Sequence, residues 1–349
     1  MIDSNTWSAR ADFAQKHLDT FFGAPWPQFL NNWSKSSPGS NDVFNYWWLA
    51  HVIDARLDAY TRTGLNRWLD LAQLTRQNII VRNGNQLFND YFDDMLWFGL
   101  ALERLGRLAS DAQATADAIS LWRHCYQFGW NHTYGWSMAW RVTQLDYKNA
   151  PANGPFAILG ARLFEVTGDR HYLDLAIAAF EWITETLRTD DGFIQDGINR
   201  QGDGAIDTHW RFTYNQGLYI GAGVALAHAT GDGAYIDAVQ PTIDTSIPAL
   251  SDGEVFTPEG DDGDEGLFKG IYYRYAATAL QTRPNHALAS FIERSTEALW
   301  ASAQTPHNNF LPGNNWHTPP SKPIPYSTYL SAIMALEAEA VITRQMPQI

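Results

Sequence analysis

Residues 155–187, PFAILGARLFEVTGDRHYLDLAIAAFEWITETL, decide the fold. Apolar residues recur at spacings of three and four on both sides of Thr167-Gly168-Asp169, which is the period of an α-helix. Thr-Gly-Asp between them is a stop-and-restart signal: glycine closes one helix in the left-handed region, and aspartate opens the next. The stretch therefore predicts a helical hairpin. Its first helix is apolar nearly all round, whereas the second carries a charged stripe. The first must be buried on every side, and the second must face water.

The hairpin repeats along the chain. Thr63-Gly64 and Thr230-Gly231-Asp232-Gly233 match Thr167-Gly168-Asp169, and each is followed by an aromatic, an aliphatic and an aspartate: Trp68-Leu69-Asp70, Tyr172-Leu173-Asp174 and Tyr235-Ile236-Asp237. Short turns at 106–111 and at Thr282-Arg283-Pro284 extend the series. Helical periodicity predicts twelve helices, at 7–22, 43–60, 65–80, 93–108, 112–128, 155–166, 172–187, 214–229, 235–247, 267–280, 287–300 and 326–342. Six longer segments separate the hairpins: 23–42, 82–92, 131–153, 189–213, 251–266 and 304–325. Six buried and six water-facing helices in alternation predict an all-α fold, an (α/α)6 barrel formed by one domain over residues 1–349. An open solenoid of hairpins would need polar capping repeats, and none is evident.

Composition bounds the partner. Lys+Arg 24 against Asp+Glu 38 leaves a net charge of −14, which disfavours nucleic acid and anionic membrane surfaces. Only 18% of residues are charged, yet the chain holds Trp 15, Tyr 15 and Phe 18. Flat apolar faces with amides and carboxylates suit a neutral, hydroxylated ring, so carbohydrate is the expected ligand. A lone Cys125 excludes an intrachain disulfide and leaves too few thiolates for a cysteine zinc site. Neither a membrane span nor an apolar export segment is visible, so the expectation is a cytoplasmic protein, or a secreted one if a leader has been removed.

If the short turns lie at one end of the barrel, the long segments and the N-termini of the buried helices meet at the other, and function belongs there. The strongest candidates are Asp93 and Asp94, in Tyr91-Phe92-Asp93-Asp94-Met95-Leu96-Trp97. Aspartates at a helix start also serve as caps, but one cap needs one acceptor, and here Asp90, Asp93 and Asp94 cluster among aromatics. Adjacent carboxyls on a helix lie about 5 to 8 Å apart, a range that includes the separation used by retaining glycosidases. Asp190-Asp191 and Asp261-Asp262 have little aromatic cover and read as solvated loop carboxylates. A second cluster runs from Asp207 through Trp210, Thr213, Tyr214, Asn215 and Gln216; Thr213 reads as a helix cap, while the two amides need a partner, either a sugar hydroxyl or a neighbouring backbone carbonyl. Lys269 opens another buried helix and needs a compensating carboxylate or a path to water. Trp47, Trp136 and Trp210 are the expected stacking surfaces. His51 and His228 read as core residues, and the ten histidines show no metal spacing, so no metal or cofactor is expected.

Four segments together resemble glycoside hydrolase family 76, the endo-α-1,6-mannanases: Tyr91 through Trp97, Asn149-Ala150-Pro151-Ala152-Asn153-Gly154-Pro155, Phe212-Thr213-Tyr214-Asn215-Gln216-Gly217 and Phe268-Lys269-Gly270-Ile271. The resemblance implies an (α/α)6 barrel that hydrolyses α-1,6-linked mannan with retention. Asp93 would be the nucleophile and Asp94 the general acid/base, without a metal. Binding of the chain is expected from Trp47, Trp136, Asp207, Trp210, Tyr214, Asn215, Gln216 and Lys269. Two other readings remain open: a sugar epimerase using His209 and His317, and a carbohydrate-binding protein without turnover.

Overall fold

The computed structural model describes residues 3–260, 263–305 and 309–345. Asp261 and Asp262 lie outside them. Among the described residues twelve α-helices follow in chain order: α1 Ser4–Phe22, α2 Tyr46–Thr63, α3 Asn66–Arg82, α4 Phe92–Ala109, α5 Ala112–Gly129, α6 Ala150–Thr167, α7 Arg170–Trp182, α8 Thr213–Thr230, α9 Ala234–Leu250, α10 Glu265–Thr282, α11 His286–Ser302 and α12 Tyr326–Gln345. No helix among the described residues is long and apolar enough to cross a membrane.

The repeated turns close by one mechanism. Gly64, Gly168 and Gly231 adopt φ of 67°, 72° and 73°, and each donates its N–H to the carbonyl four residues back. The threonine before each glycine bonds twice. Its hydroxyl donates to the carbonyl of Ala59, Leu163 or Leu226, each at 2.7 Å, and accepts from the amide two residues on. Thr-Gly therefore satisfies the last carbonyls of one helix while reversing the chain.

Two compact units divide the chain, Asn83–Ala249 and the pair of segments 1–82 and 250–349. In the first unit α4 packs on α5 and α6, and α6 on α7 and α8. The expected difference in polarity is clear: α8 buries every residue from Thr213 to Ala227 except the half-buried Tyr214 and Ala225, whereas α7 buries one stripe. Trp122 stacks on Phe156 at 4.6 Å and meets the edge of Tyr172 at 4.8 Å, tying α5, α6 and α7 together. In the second unit α12 is the centre and packs on α1, α2, α10 and α11. There Glu337, buried on α12, receives Arg62 at 2.7 Å.

Periodicity missed one element. Segment 130–198 contributes a four-stranded antiparallel sheet in the order β1 Trp130–Asn131, β2 Ser137–Arg141, β3 Gln144–Asn149 and β4 Gly197–Ile198. The strands are two to six residues long and mix both kinds of residue, so they carry little alternation. Lys148 of β3 is buried and donates to the carbonyls of Ser137 at 2.7 Å and Asn131 at 3.3 Å, clamping β1 and β2. Burial lowers its ammonium to about 7. Gly197 is required by packing: a Cβ there would stand 2.6 Å from the Lys148 carbonyl and 2.7 Å from the Tyr147 hydroxyl.

Three local expectations are corrected. Helix α6 starts at Ala150, not 155, because the Asn149 side chain caps it at the Ala152 amide and proline is tolerated in a first turn that lacks acceptors. Thr213 is the first residue of α8, with Phe212 at the cap position. His51 is buried as expected, but His228 is exposed in the last turn of α8.

Candidate active site

Asp93 and Asp94 occupy the first turn of α4, just after Tyr91, whose side chain makes no capping bond. Both are half-buried, and different donors hold them. Asp93 Oδ2 accepts from Trp140 Nε1 at 3.0 Å, and its Oδ1 accepts from the Asp94 backbone N–H, also at 3.0 Å. Asp94 Oδ2 accepts from Asn89 Nδ2 at 3.1 Å. Asn89 is itself fixed, its Oδ1 accepting from the Tyr91 amide at 2.9 Å. Trp140 comes from β2, so the sheet that periodicity missed supplies a partner of Asp93. Its ring meets the edges of Tyr91 at 5.6 Å and Tyr147 at 5.7 Å, with the Arg141 guanidinium 4.3 Å from its centre. Asp90, by contrast, is exposed, and its backbone carbonyl accepts from the Val142 amide at 2.9 Å. Asp190 and Asp191 are exposed loop residues, as expected.

The second cluster centres on a residue that sequence reasoning overlooked. Asp196 is 1% exposed and gathers donors from three segments: Tyr147 at 2.8 Å from β3, Tyr214 at 3.2 Å and Asn215 at 3.0 Å from the first turn of α8, and Arg200 from the loop after β4. Burial raises its carboxyl, against the opposing pull of Arg200 and of the bonds from Asn215 and Tyr147. Burial also drives the Tyr214 phenol well above its ordinary value, and the charges of Asp196 and Asp93 add to that push. Tyr214 therefore lies within electrostatic reach of both Asp196 and Asp93. Arg200 also donates to Asp207 Oδ2 at 2.9 Å, so one guanidinium serves two carboxylates. Nothing in the sequence marked Asp196; its partners lie in segments whose meeting depends on the sheet.

The remaining expected binding residues divide. Trp136 and Trp210 are 61% and 44% exposed, open enough to stack on a ligand. Asn215 is fully buried; its amide nitrogen serves Asp196, while its Oδ1 is buried without a hydrogen-bond partner. Gln216 pairs with the backbone of Ile194 through both amide atoms, at 2.8 Å each, which is the backbone alternative raised from the sequence. In the other unit, Trp47 and Trp48 both donate indole N–H groups to Asp264 Oδ1, at 3.0 and 2.7 Å. Lys269 does not reach water: it is 1% exposed and donates to the backbone and side-chain oxygens of Asn314. His209 is exposed, and His317 is exposed with its Nε2 bonded to Asp252 at 2.7 Å. Among the described residues no group of three or more His, Cys, Asp or Glu side chains is arranged to hold a metal ion.

Comparison with known proteins follows the same outline. Residues 6–347 match the family described as Glycosyl hydrolase family 76. The chain is similar to the Lin0763 protein of Listeria innocua, with 42% identity and a TM-score of 0.93 over 96% of this chain and 97% of that one. It is also similar to the GH76A α-1,6-mannanase of Salegentibacter sp. HEL1_6, at 34% identity and a TM-score of 0.90 over 96% and 99% of the two chains. An inactive variant of that mannanase, with two consecutive aspartates replaced by asparagines, was solved in complex with α-1,6-mannotriose. The mannan endo-1,6-alpha-mannosidase DCW1 of Saccharomyces cerevisiae is 25% identical over 52% of this chain and 44% of its own length, so the chain spans about half of that relative. The fold class is thus the helical toroid expected from the hairpin repeat.

Proposed function

Since this chain belongs to glycosyl hydrolase family 76, we propose that it hydrolyses α-1,6-mannosidic linkages in mannan or its oligosaccharides, with retention, through Asp93 and Asp94. The observation that carries the reading is a pair of consecutive, half-buried carboxylates in one helical turn, held by different donors. Asp93 receives an N–H on each oxygen, which favours its ionised form and fixes its direction, as a nucleophile requires. Asp94 Oδ2 accepts from the Asn89 side-chain amide, and its place beside Asp93 in the same turn suits the group that must pass a proton to and from the glycosidic oxygen. Support also comes from the Salegentibacter mannanase, whose inactive variant lacks two consecutive aspartates.

The chemistry balances in two steps. An Asp93 oxygen attacks the anomeric carbon as the bond to the O6 of the departing mannose breaks, and Asp94 delivers its proton to that oxygen. Asp94, now ionised, takes a proton from water, the water oxygen attacks the same carbon, and the Asp93 ester is released. The tryptophans and the polar groups around α8 would hold the chain.

Product analysis on α-1,6-, α-1,2- and α-1,3-linked mannans and on α-1,6-glucan, followed by anomeric NMR, tests substrate and stereochemistry together. Cleavage of the α-1,6 mannan with the α anomer formed first is expected. Initial release of the β anomer would sink the double displacement, and indifference to linkage would sink the substrate assignment.

A further inference from the structure

The charge cluster around Asp196 has an outer face that the hydrolytic chemistry leaves unused. The Arg200 guanidinium lies 4.7 Å from the centre of the Tyr147 ring and 4.2 Å from that of Trp210. Asp196, which is buried, and Asp207 grip its nitrogens. Its own side chain is only 20% exposed. Burial disfavours its charge, but Tyr147, Asp196 and Asp207 more than compensate and hold it firmly cationic. The loop that carries Arg200 is itself tied down: the Asn199 amide donates to the Ala205 carbonyl at 2.8 Å, the Gly204 amide to Asn199 Oδ1 at 2.8 Å and the Asp207 amide to the Gly197 carbonyl at 2.8 Å. Trp210 lies in the following irregular stretch, 44% exposed. Its ring contacts are with this cation and with the edge of Phe212 at 5.7 Å.

We propose that Arg200 is a positioning residue that sets Trp210 as a stacking platform for a pyranose ring of the substrate chain other than the one attacked by Asp93. An exposed indole is by itself a mobile apolar plate, and ordering it on binding costs entropy. A guanidinium fixed by two carboxylates and laid against the ring removes that cost before the ligand arrives. The connection to the reacting centre is continuous within this unit: Trp210 lies against Arg200, Arg200 against the Tyr147 ring, Tyr147 meets Trp140 at 5.7 Å, and Trp140 donates its indole N–H to Asp93 at 3.0 Å. A chain bound at Asp93 thus has an oriented aromatic surface nearby for a further residue, so this device governs preference for chain length.

The inference rests on the α-1,6-mannan reading, and the test separates the two. Binding of α-1,6-mannooligosaccharides, from disaccharide to hexasaccharide, is titrated calorimetrically on Asp94→Asn protein, alone and with Trp210→Ala, Trp210→Phe or Arg200→Lys added. With the platform intact, affinity rises as the chain lengthens. Trp210→Ala and Arg200→Lys should each shrink the ratio of long-chain to short-chain affinity by about tenfold, the worth of one good ring contact, and Trp210→Phe should restore most of it. Thermal melts control for folding: a role in stability alone lowers the melting temperature and weakens every length equally, which overturns the proposal. An unchanged ratio in Trp210→Ala overturns it as well; that side chain is exposed, so the variant folds even where Arg200→Lys does not. Turnover of wild-type protein is scored separately. Cleavage of α-1,6 mannan with a length-independent Trp210 effect refutes only the platform, whereas absence of both binding and cleavage refutes the substrate reading from which it proceeds.

Discussion

Replacing Glu339 with glutamine should make the protein more stable at alkaline pH and change it least in acid. Glu339 lies on α12 at 2% exposure, and its Oε2 is buried without a hydrogen-bond partner. Burial, reinforced by the charges of Glu293 and Glu297 on α11, pushes its carboxyl up to about 8 from an ordinary 4.5. Tyr273 on α10 also lies within electrostatic range, and Glu297 is paired with Arg10 of α1. The sign follows from proton uptake. Below about pH 4.5 both folded and unfolded chains carry the proton, and the stability is fully present. Between 4.5 and 8 only the folded chain retains it, so stability falls by about 1.4 kcal/mol per pH unit and is lost as pH rises through 8. The span is 8 − 4.5 = 3.5 units, or at most about 5 kcal/mol. Glutamine keeps the shape and an N–H donor but has no proton to lose. Urea unfolding at pH 4, 5, 6.5, 8 and 9, taken as Glu339→Gln minus wild type, should give a difference that is smallest at pH 4, about 1 kcal/mol larger at pH 5, and larger by several kcal/mol at pH 8. A difference constant across the series would refute the reasoning, for it would mean that the carboxyl ionises in the folded chain as it does in the unfolded one.

Asp93→Asn and Asp94→Asn should each lower kcat on α-1,6-mannan by about 10²–10⁴-fold or more without moving the melting temperature by more than a few degrees, since both side chains are half-buried; wild-type-like turnover in either contradicts the mechanism. Trp140→Phe keeps the ring but removes the indole N–H from Asp93, a bond to a charged group worth about 1.5–3 kcal/mol, so kcat should fall roughly 10- to 100-fold with KM little changed. Lys148 has the opposite pH signature to Glu339: with its ammonium lowered to about 7, the stability it permits is present above pH 10.5 and lost as pH falls through 7, and Lys148→Met should flatten that dependence in urea melts between pH 6 and 10. Gly64→Ala meets no atom within 4 Å yet must hold a φ of 67°, so it should cost about 1–2 kcal/mol by thermal unfolding; an unchanged melting temperature would remove the turn argument.

What was legible in the sequence follows the range of the interaction. Helical hairpins are local: periodicity, Thr-Gly turns and the contrast between apolar and striped helices lie within about 35 residues, so each expected helix has its counterpart, with the largest departures at the start of α6 and at the end of α7, where 183–187 form a π-helix. The catalytic candidates were also local, because Asp93 and Asp94 declare themselves by adjacency at a helix start. Asp196 was not. It is a single carboxylate in a Gly-flanked loop, and its meaning comes from Tyr147, Arg200, Tyr214 and Asn215, which only the β1–β4 sheet and the start of α8 bring together. Gln216 illustrates the converse: an amide that looked available for a hydroxyl is engaged on both faces by Ile194, a residue 22 positions away.

The tryptophan excess first suggested a sugar ligand, yet seven of the fifteen rings are buried in the core. Trp7, Trp68, Trp122 and Trp316 are at most 2% exposed, and Trp48, Trp97 and Trp182 at most 5%. In a fold with a single, buried and unpaired cysteine, large flat rings are a means of filling the space between helices, as Trp122 does against Phe156 and Tyr172. Composition alone is therefore a weak argument for carbohydrate. The stronger one concerns which rings are left open and what holds them: Trp136 and Trp210 are among the few exposed tryptophans, and the second is backed by a cation fixed between two carboxylates. An aromatic that serves only to pack has no need of such support. A polar network that orients an exposed ring makes sense when the ring has something to hold.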